Sequence, residues 1–108
     1  MIEETLRKIE ETVRDEPASP ARRQEILRLL AELRSELGAI GPSPGDIAER
    51  ASRLTEAVHE AARAEDGTDE RRVASGRLAE SIREFETSHP RLAAVAQAVA
   101  DALASAGM

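Results

Sequence analysis

Phe85-Glu-Thr-Ser-His-Pro-Arg-Leu-Ala93 holds the only Phe of the chain, one of its two His residues and a Pro directly after that His. It is either a site or the corner where one helix stops and the next begins. Pro90 disfavours helical backbone at the preceding residue and suits the first position of a new helix. Carried on at helical pitch, His89 would extend the apolar stripe of Leu78, Ile82 and Phe85, so the chain is expected to turn with the His89 ring packed beside Phe85. Ser88 is then placed to cap the following helix through the N–H of Arg91, because Pro90 has none. The stretch therefore reads as a structural corner made by Phe85, Ser88, His89, Pro90 and Leu92.

Upstream of this corner, apolar residues recur at three and four spacing almost throughout, the pattern of amphipathic helices. Ile2, Leu6, Ile9 and Val13 make a first stripe, with Glu3/Arg7, Glu4/Lys8 and Glu10/Arg14 paired at i,i+4 on the solvated side. That helix is expected to stop before Pro17. Ser19 as N-cap and Pro20 as first residue open the second helix. Its stripe of Ile26, Leu29, Leu30, Leu33 and Leu37, with Leu27 at the edge, is the widest, so this helix is expected to be the most buried. Gly38 and Gly41 should end it, and Ser43-Pro-Gly-Asp46 should restart the chain with a capping box. Ile47, Ala51, Leu54, Val58 and Ala61 mark the third helix. Asp66-Gly-Thr68 is the next break. The fourth helix runs from about Asp69 with Ala74, Leu78, Ile82 and Phe85 on one face and Gly76 weakening its middle. The fifth, from Pro90, carries Leu92, Val95, Val99 and Leu103. Gly107 suits a left-handed C′ position, which would bring Leu103 and Met108 together in a Schellman motif.

No strand alternation competes with these stripes. The expected fold is all-α, an antiparallel bundle or set of hairpins of about five helices in one domain spanning residues 1–108, with residues 47–85 folding back or pairing with another chain.

Composition narrows the function classes. Leu, Ile, Val and Phe number 22 of 108 residues and Ala adds 20, so the core is thin and made largely of small side chains. A thin core in a small domain points to self-association, expected here as a homodimer. Cys, Trp and Tyr are absent, which removes disulfides, thiol chemistry and stacking platforms for bases. A net charge of -6 repels phosphate backbones and anionic lipid, so neither nucleic acid nor a membrane is expected as a partner. Met1 is followed at once by charges and no apolar run approaches the roughly 20 residues of a membrane span. The cytoplasm is the expected location.

With the helices placed, the C-terminal residues resemble a known family. Phe85-Glu86, His89-Pro90, Leu92, and the closing Leu103, Gly107 and Met108 are similar to the ending of a small bacterial group catalogued as domain of unknown function 4404. The N-terminal Leu6-Arg-Lys-Ile-Glu-Glu-Thr-Val13 and Arg22-to-Leu37 segments are similar too. Two departures are a longer middle, about residues 38–70, and a final Met where Ile is commoner. The resemblance implies a small helical cytosolic protein and brings no activity.

Two Glu-x-x-His pairs, Glu56/His59 and Glu86/His89, are the i,i+3 element that carboxylate bundles combine with Glu residues of two further helices to hold metal ions. With Leu54 as zero at about 100° per residue, the core stripe of its helix centres near roughly 30°, whereas His59 falls at about 140° and Glu56 at about 200°. Both point away from the core. The second pair straddles the Pro90 break. No metal and no cofactor are therefore expected, and no catalytic residues: Ser and His are present without a nucleophile elbow, and the six Gly residues make no phosphate-cradling loop. Arg22-Arg23 and Arg71-Arg72, near helix starts, are expected to pair with Glu25 and Glu70 neighbours.

The last helix is unusual for a chain that is 33% charged. Opposite its Leu/Val stripe lie Ala94, Gln97, Ala98, Asp101 and Ser105, a face with one formal charge. Ala94, Ala98, Asp101, Ala102 and Ser105 are the candidate residues of a homodimer contact, the other reading being a helix buried centrally in one bundle. The expected function is that of a small soluble helical interaction or structural module without catalytic activity, with an unknown protein partner as a further possibility. The alternative is a metal-binding carboxylate/histidine protein or enzyme with a site built across a dimer interface.

Overall fold

Five helices form where the apolar stripes lie: α1 (Ile2–Asp15), α2 (Pro20–Ile40), α3 (Gly45–Arg63), α4 (Asp69–Arg83) and α5 (Pro90–Ala106). The computed structural model describes residues 2–15, 19–40, 45–64 and 68–106, with side chains to residue 104, and the described residues contain no strand. The expected break at Pro17, the Gly41 stop, the Ser43-Pro44 half of the capping box, Asp66-Gly67, and the Gly107/Met108 ending lie outside the described residues.

Helix starts follow the local chemistry. The Ser19 hydroxyl accepts the Arg22 N–H at 3.2 Å and its carbonyl accepts the Arg23 N–H at 3.0 Å, so Ser19 caps α2 with Pro20 in first place. Thr68, in extended conformation, accepts the Arg71 N–H at 3.1 Å and caps α4. At α5 the cap is His89 rather than Ser88: the His89 carbonyl accepts the Ala93 N–H at 3.0 Å. Pro90 fills the first helical position, which makes its immediate predecessor the cap and leaves Ser88 one residue too early.

The helices close into a ring in the order α1, α2, α5, α4, α3, with α3 also touching α5 across the middle. A radius of gyration of 12.9 Å is that of a folded domain of this length, about 13 Å, so residues 47–85 fold back within one chain. On α3 and α4 the ion pairs Arg77–Glu60 at 3.5 Å and Arg53–Glu84 at 3.9 Å run in opposite chain directions, so the two helices are antiparallel. Between α1 and α2, Arg34 reaches Glu3 at 3.3 Å and Glu10 at 3.5 Å, which ties Glu10 to the neighbouring helix and not to Arg14.

Two expectations about α2 are corrected. It continues through Gly38 to Ile40. Gly38 is exposed and an added Cβ would meet nothing within 4 Å, so it neither turns the chain nor admits a neighbour there. Among the described residues α3 is more buried than α2. Facing α1, α4 and α5, it buries Ala51, Leu54, Thr55, Ala57, Val58, Ala61 and Ala62, whereas α2 buries Ile26, Leu30 and Leu33 and leaves Leu27, Leu29 and Leu37 half-buried. Width of the Leu stripe misleads here because alanine, with no bulk to signal it, lets three neighbours approach. The one buried hydroxyl among the described residues, of Thr55, donates to the Ala51 carbonyl at 2.8 Å.

Phe85 closes the core at the α4–α5 corner with 1% of its surface exposed. Phe85→Ala is expected to destabilise the protein by about 3 to 5 kcal/mol, since a thin core cannot refill the cavity. Gly76, helical, exposed and free of neighbours within 4 Å, gives the opposite case: Gly76→Ala should stabilise by about 0.5 to 1 kcal/mol. Denaturant midpoints check both, and a Phe85→Ala value within error of the parent would remove the corner as a packing centre.

Candidate functional site

The corner is built by backbone bonds that tighten the end of α4 before releasing the chain. Phe85 N–H bonds the Ile82 carbonyl at 3.0 Å, Glu86 N–H the Arg83 carbonyl at 3.3 Å, and His89 N–H returns to the Phe85 carbonyl at 2.7 Å. These satisfy carbonyls that a helix end otherwise leaves open. The His89 ring stands edge-on to Phe85, centroids 5.8 Å apart and planes at 68°, an arrangement that sets a positive ring edge against a negative face. Its Nδ1 lies 3.0 Å from the Ser88 hydroxyl. Leu92, in the first turn of α5, is buried beneath. The His89 ring thus finds its partners, Phe85 and Ser88, inside the cluster, as suits a joint.

The outward face of α5 starts at this joint. Ala94, Gln97 and Asp101 are exposed and Ala98 is half-buried, whereas Leu92, Ala93, Ala96, Val99, Ala102 and Leu103 are buried, α5 lying against α2, α3 and α4. Ala102 thus packs inside its own chain, 6% exposed, and is not part of the outward face. It stands about two helical turns beyond Val95 and so follows the core side. The Ser105 side chain lies outside the described residues. Gln97 donates to Asp101 Oδ1 at 3.0 Å, the i,i+4 pairing of an amide with a carboxylate.

The two Glu-x-x-His pairs stay apart from each other and from further ligands. Glu56 is exposed, His59 half-buried, Glu86 exposed and His89 engaged with Ser88. Among the described residues no group of three or more His, Asp or Glu side chains is gathered for a metal ion. The surroundings of His59 are cationic: its pKa is lowered by burial first, then by Arg63 and Lys8, with Glu60 opposing. A cation arriving there would meet the same repulsion.

Arg71 is the residue whose role the sequence does not announce. Its guanidinium donates to the Ala64 carbonyl at 2.9 Å and to the Leu103 carbonyl at 2.6 Å. One side chain on α4 therefore binds the C-terminal ends of α3 and α5, where open carbonyls and the negative dipole end favour a cation. Its bonds go to these carbonyls and not to the expected Glu70. Arg72 pairs with Asp69, at 3.6 Å, and Arg22 with Glu25, at 3.7 Å. A shallow groove of about 430 Å³ beside α3 and α4 holds Glu60, Arg63, Glu70, Arg77 and the 53%-exposed Val73, a mixture of both charges.

Two outcomes follow from these contacts. Arg71→Ala should cost about 1 to 3 kcal/mol, and Arg71→Lys should recover less than half, because an ammonium cannot span both carbonyls; unchanged denaturation midpoints would contradict the clamp. For His59 the fold favours the neutral ring, so the unfolded chain binds more protons between the lowered value and about 6.5, and stability falls as pH drops through that window. Ring titration by NMR should show His59 below its ordinary value of 6.5, and His59→Gln should lose less stability than the parent between about pH 7 and 5.

Neither a curated protein nor a solved structure matches the chain. The model of one family does, over residues 26–108, which leaves α1 and the start of α2 outside and takes in Arg71, the corner and all of α5. With most of its length matched, the chain belongs to the family described as Domain of unknown function (DUF4404).

Proposed function

We propose that this protein acts by association and not by chemistry: a small helical interaction module that pairs with itself through the outward face of α5. The observation that carries the reading is the exposure of Ala94 with the half-exposure of Ala98 on a helix whose other side is fully committed to its own core. Elsewhere exposed small residues, such as Ala31 on α2 or Ala48 on α3, stand among charges, as with Arg28 and Glu32 or Arg53 and Glu56. Small side chains let a second helix approach closely, and a chain whose buried residues include eight alanines gains most from covering further surface. The net charge of -6 speaks against nucleic acid and anionic lipid as the partner, and the proposed setting is the cytoplasm. No helix among the described residues is long and apolar enough to cross a membrane.

The metal-dependent alternative has less to support it, since His59 keeps company with Lys8 and Arg63 and His89 with Ser88. Sedimentation over a wide concentration range tests the reading. A dimer is expected whose melting temperature rises with concentration. Ala98→Arg should separate the subunits, while Glu11→Arg, on the exposed side of α1, should not. A monomer at every concentration, with an unmoving melting temperature, would overturn the proposal.

A further inference from the structure

We propose that a hollow between α4 and α5 binds a free apolar α-amino acid, with the ligand's carboxylate on Arg71 and Ser75 and its ammonium on Asp101. The hollow measures about 210 Å³ and lies between two helices tied at one end by the Phe85–Pro90 corner and at the other by the bond from Arg71 to the Leu103 carbonyl. Between these ties α4 offers Ser75 and Ala79 and α5 offers Ala100 and Ala104, side chains too short to fill the space. Leu78, Ile82 and Leu103, all buried in the core, give the hollow an apolar lining. Its volume falls below the range of about 300–1,000 Å³ that takes drug-sized molecules, and suits a ligand of roughly ten non-hydrogen atoms.

The polar groups select the charges of that ligand. Arg71, Ser75, Leu78 and Ile82 follow at intervals of four, three and four, so one face of α4 runs from a cation and a hydroxyl to two apolar side chains. Arg71 is half-buried; its bonds go to the Ala64 and Leu103 carbonyls, it holds no ion pair, and its guanidinium keeps further N–H donors for a carboxylate. From α5, Asp101 lines the same hollow beside Gln97, whose amide donates to it at 3.0 Å. Asp101 has another interaction within the chain as well. A carboxylate accepts several bonds at once, so these contacts orient Asp101 and leave it able to receive an ammonium. A ligand with only a carboxylate would be repelled by Asp101, and one with only an amine by Arg71. A molecule carrying both charges and a short apolar side chain matches all three parts of the lining, and binding needs no second copy of the chain.

Titration of the full-length protein with L-leucine, followed by methyl NMR and calorimetry, tests the site. Saturable shifts are expected at the Leu78, Ile82 and Leu103 methyls. Leucinamide, which lacks the carboxylate, and isocaproate, which lacks the amine, should each bind about tenfold or more weakly, and Asp101→Asn should weaken leucine to a similar degree. Ser75→Leu, at an exposed position, should fill the hollow and abolish binding, whereas Arg72→Gln, at the neighbouring position paired with Asp69, should leave it unchanged. Circular dichroism checks that each variant folds. A parent with no saturable shift overturns the proposal, as do shifts that survive Ser75→Leu, or single-charge analogues that bind as tightly as leucine.

Discussion

Burial of Phe85 against the edge of His89 is the contact on which the rest of the molecule depends. It fixes the angle at which the chain leaves α4, and the bond from His89 N–H to the Phe85 carbonyl at 2.7 Å with Pro90 behind it leaves little freedom in the turn. From there α5 runs back beside α4 and reaches α2 and α3, lining the core with Leu92, Ala93, Ala96, Val99, Ala102 and Leu103. Its far end is held by Arg71, which binds the Leu103 carbonyl and the Ala64 carbonyl together. A helix pinned at both ends keeps one side inward along its whole length. The other side is then presented to solvent as a fixed surface.

The same constraint explains why alanine matters more here than its size suggests. Large apolar residues are few, and the core gains density by bringing backbones close at Ala51, Ala57, Ala61 and Ala62 on α3 and at Ala93, Ala96 and Ala102 on α5. Close approach needs well-set angles, which the corner and the carbonyl clamp supply. Exposed ion pairs such as Arg77–Glu60 and Arg53–Glu84 trim the edges of the packed pair and contribute little energy individually.

Much of this is legible in the residues themselves. The stripes of α1, α4 and α5, the Ser19-Pro20 start and the corner at Pro90 are local signals: periodicity and backbone chemistry acting within a few positions. What is not legible depends on how distant helices meet. Arg71 shows nothing in sequence to set it apart from Arg72, because its two acceptors lie seven and 32 residues away on other helix ends. Arg34 draws Glu3 and Glu10 across from α1 for the same reason. The greater burial of α3 over α2 follows from having three neighbours, which no stripe reports. Ala102 stands at the boundary by spacing, one turn beyond Ala98 and two beyond Val95, and it packs inward because a helix touching three others buries more than its Leu/Val stripe. Ser88 is a matter of one position, settled by which residue Pro90 makes the cap.

Membership of the DUF4404 family brings no chemistry with it, so the proposed function turns on the division of α5 into an inward side that holds the fold and an outward side proposed to meet a second copy. A dilution series followed by methyl NMR tests that division most directly. The Ala94 and Ala98 methyl signals are expected to move with concentration while Ala96, Val99 and Leu103 stay in place. Methyl signals that stay fixed across the series, or that move at Val73 in the α3–α4 groove instead, would contradict it.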